Sequence, residues 1–369
     1  MSFIENDSVI ERLKPAAITA VTDREIWEHL LTPTVKGILG PVVRSHTPRW
    51  IETTKGVFPG DEVTNLNGHK LRDAAGVLRD DLLRYPYVHH LYRTENGAVV
   101  IKRDPQKVWV ACWFGDVEKG KGELIFKAAL RDRRHDGTSL ANDCSLLDFS
   151  YSNPDYHRPL SNTLKSVELS IYGYMPGSRI VDGCGDEELD RFVANPNKFL
   201  SDPDRYLALF NRAMQTKRAP GQAMAPIPDV SRHALPGFEH LARKYGYDLI
   251  EMAASYYHVS RWATAGGYLF ASSAQEDAVS RMGRGLDDIR QSGYPLTRTQ
   301  QSWVVALQSL RPVLKIPPAL RFEKGESSET LQWPQDNTSD RCLWMYKCLS
   351  EKAQGFKPDM VFADGAAGK

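Results

Sequence analysis

"YVHHLYRTENGAVVIKRDPQKVWVACWFGDVEKGKGELIFKAAL", residues 87–130, decides the fold. Residues 87–94 are rich in β-formers and end at Glu95-Asn96-Gly97. Asn-Gly is the strongest short hairpin signal, because both central residues of that turn take positive φ. "AVVIKR" follows, and then "DPQK", a turn with Pro105 as its second residue. "VWVACWF" (108–114) is apolar on both faces, the pattern of a strand covered on both sides. "ELIFKAAL" starts as a further strand. Downstream, "SVELSIYGY" alternates Val167, Leu169 and Ile171 against Glu168, Ser170 and Tyr172, as a half-buried strand does. The region 87–175 therefore reads as an antiparallel meander.

One connection in that meander resembles a phosphate-binding loop: Gly115, then four residues, then Gly120-Lys121. The residue after Lys121 is Gly122, so the hydroxyl that would meet magnesium is missing. Asp116 and Glu118 add two carboxylates where phosphate charge would sit. Hairpin neighbours, with no crossover helix, complete the case for a turn between two strands and against a nucleotide site.

Upstream, residues 23–31 ("DREIWEHLL") predict a short helix capped by Asp23, and residues 70–85 predict a second. Beyond residue 185 the pattern turns helical. Helices are expected at "DEELDRFVANP", at 202–215, over 238–273 with breaks near Gly246 and Gly266-Gly267, at 275–293, and after a Thr297 cap. Tyr245, Leu249, Met252, Tyr256 and Val259 fall at helical spacing and read as packing. Residues 217–229, with three prolines and one glycine, look like a linker. "DRCLWMYKCLSEKA" predicts one more short helix. The expected fold class is α+β: an N-terminal antiparallel β-meander with flanking helices, followed by a mainly helical C-terminal part. The expected division is 1–185, 186–310 and an irregular 311–369.

Composition bounds the function. The chain has 369 residues, 41% hydrophobic and 25% charged, with a net charge of +1. A dedicated nucleic-acid binder usually carries a basic excess over its whole domain. No run approaches about 18 apolar residues, so no transmembrane helix is expected. The N-terminal stretch has acids and no apolar core, unlike a secretory signal. Five cysteines, none in a CxxC pair, read as free structural thiols of a cytoplasmic protein.

The densest set of reactive side chains is residues 131–158, "RDRRHDGTSLANDCSLLDFSYSNPDYHR". His135, Asp136, Asp148 and His157 are the candidate catalytic residues. His and Asp suit a divalent metal whose bound water ionises near neutral pH. No HxD, HxE or HExxH spacing occurs there. The His135-Asp136 pair also lacks the apolar helical surroundings of HD-type phosphohydrolases, since three arginines precede it closely. The other candidate feature is a basic edge. Lys119, Lys121, Lys127, Arg131, Arg133 and Arg134 face only two acids in residues 119–134, with aromatics nearby. Cations and aromatics on a sheet can track single-stranded nucleic acid or a protein partner. Two function classes thus fit. The favoured one is an interaction or nucleic-acid-associated module using the sheet and its basic edge; the alternative, which lacks any ligand spacing, is a metal-dependent phosphoester hydrolase using the 131–158 loop.

Overall fold

The computed structural model describes residues 16–34, 49–52, 88–94, 97–103, 107–114, 123–133, 160–161, 163–173, 186–222, 230–313, 315–322 and 343–358. The expected helix at 70–85 lies outside them. The chain forms two compact units. The first comprises 1–176, 227–252 and 348–356; the second comprises 177–226, 253–347 and 357–369. The proline-rich 217–229 stretch contains the first return to unit one, at Pro226–Ile227.

The strands of the first unit are β1 (Arg49–Glu52), β2 (Val88–Thr94), β3 (Gly97–Arg103), β4 (Lys107–Phe114), β5 (Glu123–Asp132), β6 (Ser166–Gly173) and the first four residues of β7 (Leu249–Ala254). They lie side by side in that order. β1 to β6 pair antiparallel with their neighbours, and β7 joins β6 in parallel. The meander expected over 87–175 is therefore present. Thr94 pairs with Gly97, so the β2–β3 connection is residues 95–96, one position earlier than an Asn96-Gly97 turn would give. Gly115–Lys121 falls between β4 and β5, which are adjacent and antiparallel, as a hairpin requires. The register slips between Cys112 and Trp113, a bulge that bends the strand. "VWVACWF" is buried on both faces as far as it is described: Val108, Trp109, Val110, Ala111 and Cys112 are all at or below 5% exposure.

Among the described residues the α-helices are α1 (Asp23–Ile26), α2 (Glu187–Ala194), α3 (Pro203–Ala213), α4 (Val230–Lys244), α5 (Tyr257–Ala265), α6 (Ser273–Gln291) and α7 (Arg298–Leu307). α1 and α4 cover one face of the sheet: Val21, Ile26, Leu30, Phe238 and Leu241 surround a small apolar cavity with Val108, Val110, Ala128 and Leu130. α1 continues into a π-helical turn at Trp27–Leu31. Its cap is Thr22, not the expected Asp23. The Thr22 hydroxyl accepts from the Glu25 N–H, and Glu25 reaches back to the Thr22 N–H, a complete capping box. Asp23 instead pairs with Arg103 at 2.5 Å.

Two expected helical stretches are strands. Leu249–Ala254 is β7, so the stripe from Tyr245 to Val259 is spread over several elements. Gly246, at φ 77°, ends α4, and a six-residue apolar run then has the length of a buried parallel strand. "DRCLWMYKCLSEKA" contains β9 (Leu343–Cys348), which pairs antiparallel with the short β8 (Leu269–Phe270) in unit two. Its four leading residues, Leu343 to Tyr346, are all buried, so no helical periodicity survives.

The second unit is otherwise helical, as expected. Asp186 caps α2, Asp202 caps α3, and Thr297 with Gln300 forms a capping box on α7. Leu189, Phe192, Tyr206, Phe210, Trp303 and Leu307 form its core. Phe192 stacks on Trp303, centroids 5.3 Å apart. Arg218 closes the core with a buried ion pair to Asp190 at 2.6 Å, while its carbonyl accepts the Trp303 indole N–H at 2.8 Å.

Candidate functional site

The strand registers place Lys107, Arg131, Glu168 and Glu251 in one row across β4, β5, β6 and β7. Arg133, two residues beyond Arg131, points to the same side, because strand residues alternate faces. All five side chains are buried. A charge is tolerated in such a place only when paired and hydrogen-bonded. Arg131 Nη2 lies 2.5 Å from Glu168 Oε2, and Arg133 Nη1 lies 2.9 Å from the same oxygen. Arg133 Nε stands 3.3 Å from Glu251 Oε2. The other oxygen of Glu251, Oε1, accepts the Leu160 N–H at 3.2 Å. Burial raises the Glu251 pKa, and the Arg133 guanidinium opposes that shift. Asp132 points to the opposite face, where it accepts from the Tyr247 hydroxyl at 2.6 Å. That hydroxyl accepts in turn from the Ile18 N–H, tying the N-terminal turn to the sheet.

This row stands where the chain leaves and re-enters the sheet. Arg133 is the last described residue before 134–159, and Leu160 is the first after it. Both stems of the segment that carries His135, Asp136, Asp148 and His157 therefore meet one carboxylate, Glu251.

The candidate residues fall as follows. His135, Asp136, Asp148, His157, Arg134, Lys119 and Lys121 lie outside the described residues. Lys127 is on β5, paired with Ala111 and Tyr172. Arg131 and Arg133 do not belong to a solvated basic edge: they are 5% and 0% exposed and paired with glutamates. The reason is the row itself, which brings carboxylates from β6 and β7 opposite them. His89 and His90 are successive residues of β2. Cys112 is a buried thiol whose pKa burial pushes up to about 12, which suits a structural role.

Sequence reasoning missed Glu168 and Glu251. Glu168 looked like the wet side of an alternating strand, yet it is 4% exposed. Glu251 was visible as a lone acid within the apolar run "LIEMAA", a sign of a buried charge awaiting a partner.

Among the described residues no three His, Cys, Asp or Glu side chains gather as a metal site, and no helix is long and apolar enough to cross a membrane. The fold defines the protein as a member of the α+β class. Beyond that class, the chain matches no family model, no curated protein and no solved structure.

Proposed function

We propose that the protein is a metal-dependent hydrolase of phosphoesters whose chemistry is carried by residues 134–159. One observation supports this reading: the described residues flanking the stretch richest in His and Asp, Arg133 and Leu160, both meet Glu251 of the buried charged row. Reactive loops are commonly held this way, with variable chemistry on fixed stems. His135, Asp136, Asp148 and His157 supply imidazole and carboxylate donors suited to a divalent cation. Such a cation supplies a bound hydroxide near neutral pH. In phosphoester hydrolysis a water oxygen would bond to phosphorus while the bond from phosphorus to the leaving oxygen breaks and that oxygen takes up a proton. Arg134 carries a guanidinium of the kind that suits bidentate contact with phosphate oxygens.

The interaction reading is weaker by two residues. Its edge retains Lys119, Lys121, Lys127 and Arg134, but Arg131 and Arg133 are committed to Glu168 and Glu251.

The test is hydrolysis of bis(p-nitrophenyl) phosphate and p-nitrophenyl phosphate with Mn²⁺ or Zn²⁺. The expected result is turnover that EDTA abolishes and that His135→Ala or His157→Ala lowers by about 10²-fold. No turnover above buffer, or turnover indifferent to both substitutions, contradicts the reading.

A further inference from the structure

We propose that His29 and His240 form a binding site for a divalent transition-metal ion that favours nitrogen ligands, copper(II) first among them. The inference is independent of the hydrolase reading. His29 lies in the π-helical turn Trp27–Leu31 and His240 in α4, both in unit one. Their rings stand with centroids 4.3 Å apart and planes inclined at 40°. The backbone sets this approach. Gly237 lies three residues before His240, so the two share a face of α4. At Gly237 the helix presses on the turn: a Cβ there would stand 1.9 Å from the His29 carbonyl oxygen. The residue whose carbonyl meets the glycine is thus the residue whose ring meets His240.

The spacing suits one shared ion. A metal–nitrogen bond of about 2.0–2.1 Å puts the ion about 3.2 Å from each ring centre, so two imidazoles at right angles around it have centres about 4.5 Å apart. Right-angled neighbours are what a square-planar copper(II) or nickel(II) ion takes, and copper(II) binds such sites tightest in the divalent series. The tilt between the planes brings the rings together along one edge, and χ2 of histidine is a soft torsion that can turn a nitrogen of each toward it. No hydrogen bond or ion pair to another described residue engages either ring. His29 is half-buried and His240 is exposed, so solvent reaches the pair and water can complete the coordination. Packing alone accounts poorly for the contact, because an exposed ring hides little apolar surface from water.

The test is copper(II) binding to the untagged full chain, by isothermal titration calorimetry and pulsed electron paramagnetic resonance, in wild type, His29→Asn and His240→Asn. Two protein ligands hold an ion exchangeably, so binding is read at equilibrium with free ion present. The other histidines are common to all three chains, and the difference between chains therefore reads the pair. The expected result is that each variant loses one bound copper(II) or binds it at least about tenfold more weakly. The copper(II) signal lost from the variants should carry two imidazole nitrogens. His135→Ala/His157→Ala should leave that signal in place. Equal binding in wild type and both variants overturns the proposal, as does a lost signal with a single imidazole, loss in only one of two folded variants, or no copper(II) binding by wild type. Circular dichroism checks folding; because His240 is exposed, His240→Asn decides the question even if His29→Asn does not fold.

Discussion

Arg133 and Glu251 face each other 3.3 Å apart, and both side chains have 0% exposure. Such a pair contributes little net stability when intact and costs much when half-broken. Glu251→Met alone is therefore expected to destabilise the fold by about 3 kcal/mol, because it removes one of the carboxylates facing Arg133 and leaves Glu168 to serve both Arg131 and Arg133. Arg133→Met/Glu251→Met is expected to cost much less than the two single changes summed. Urea unfolding of the four proteins gives the coupling energy, expected at about 2 kcal/mol or more. Additive single effects would show that the two groups do not act as a pair.

His258 predicts an acid sensitivity in unit two. Its Nδ1 lies 2.9 Å from the Ser302 hydroxyl, joining α5 to α7. Burial pushes its pKa down to about 4, from an ordinary 6.5. The folded state thus favours the neutral ring. Its full stabilisation is present above about pH 6.5 and is lost as pH falls from 6.5 toward 4. That loss amounts to about 3 kcal/mol. Thermal unfolding of wild type and His258→Asn across pH 4–7 checks it: the wild-type melting temperature should fall more steeply. Parallel curves would remove His258 as the cause.

Tyr206 is buried at 0% exposure with a hydroxyl that has no hydrogen-bond partner among the described residues. An unmade bond of this kind costs about 1–3 kcal/mol. Tyr206→Phe removes the orphan and keeps the ring against Phe192, whose centroid is 5.0 Å away. It is expected to raise stability by about 1 kcal/mol in urea unfolding. A decrease of similar size would mean that the hydroxyl is satisfied.

Gly237 allows α4 to touch the turn after α1. A Cβ placed there would meet the His29 carbonyl oxygen at 1.9 Å, and backbone cannot yield cheaply. Gly237→Ala is expected to cost about 2–4 kcal/mol. Gly246→Ala meets nothing within 4 Å and has only its φ of 77° to strain against, so it should cost about 1 kcal/mol. Equal costs for the two would argue against the close helix approach.

The meander was legible because turn chemistry and period-2 patterning agreed along residues 87–130. The cap at Thr297 was legible for the same reason: local chemistry alone decides it. β7 and β9 were not legible as strands. "LIEMAA" and "LWMYKC" are buried with almost no alternation, and a short run buried on both sides carries no period to read. The buried charged row was not legible. Nothing local to Arg131 and Arg133 announces that Glu168 and Glu251, from two later strands, will neutralise them. That pairing is set by sheet order, and the parallel addition of β7 to β6 joins residues 83 positions apart.

The central claim is that residues 134–159 carry a metal-dependent reaction. Its most direct test is the metal content of the purified chain after incubation with Mn²⁺ or Zn²⁺ and removal of free ion, measured by mass spectrometry. The account predicts about one divalent ion per chain in wild type and a several-fold lower content in His135→Ala/His157→Ala. Wild type that retains no ion, or a double variant that retains as much as wild type, would contradict it.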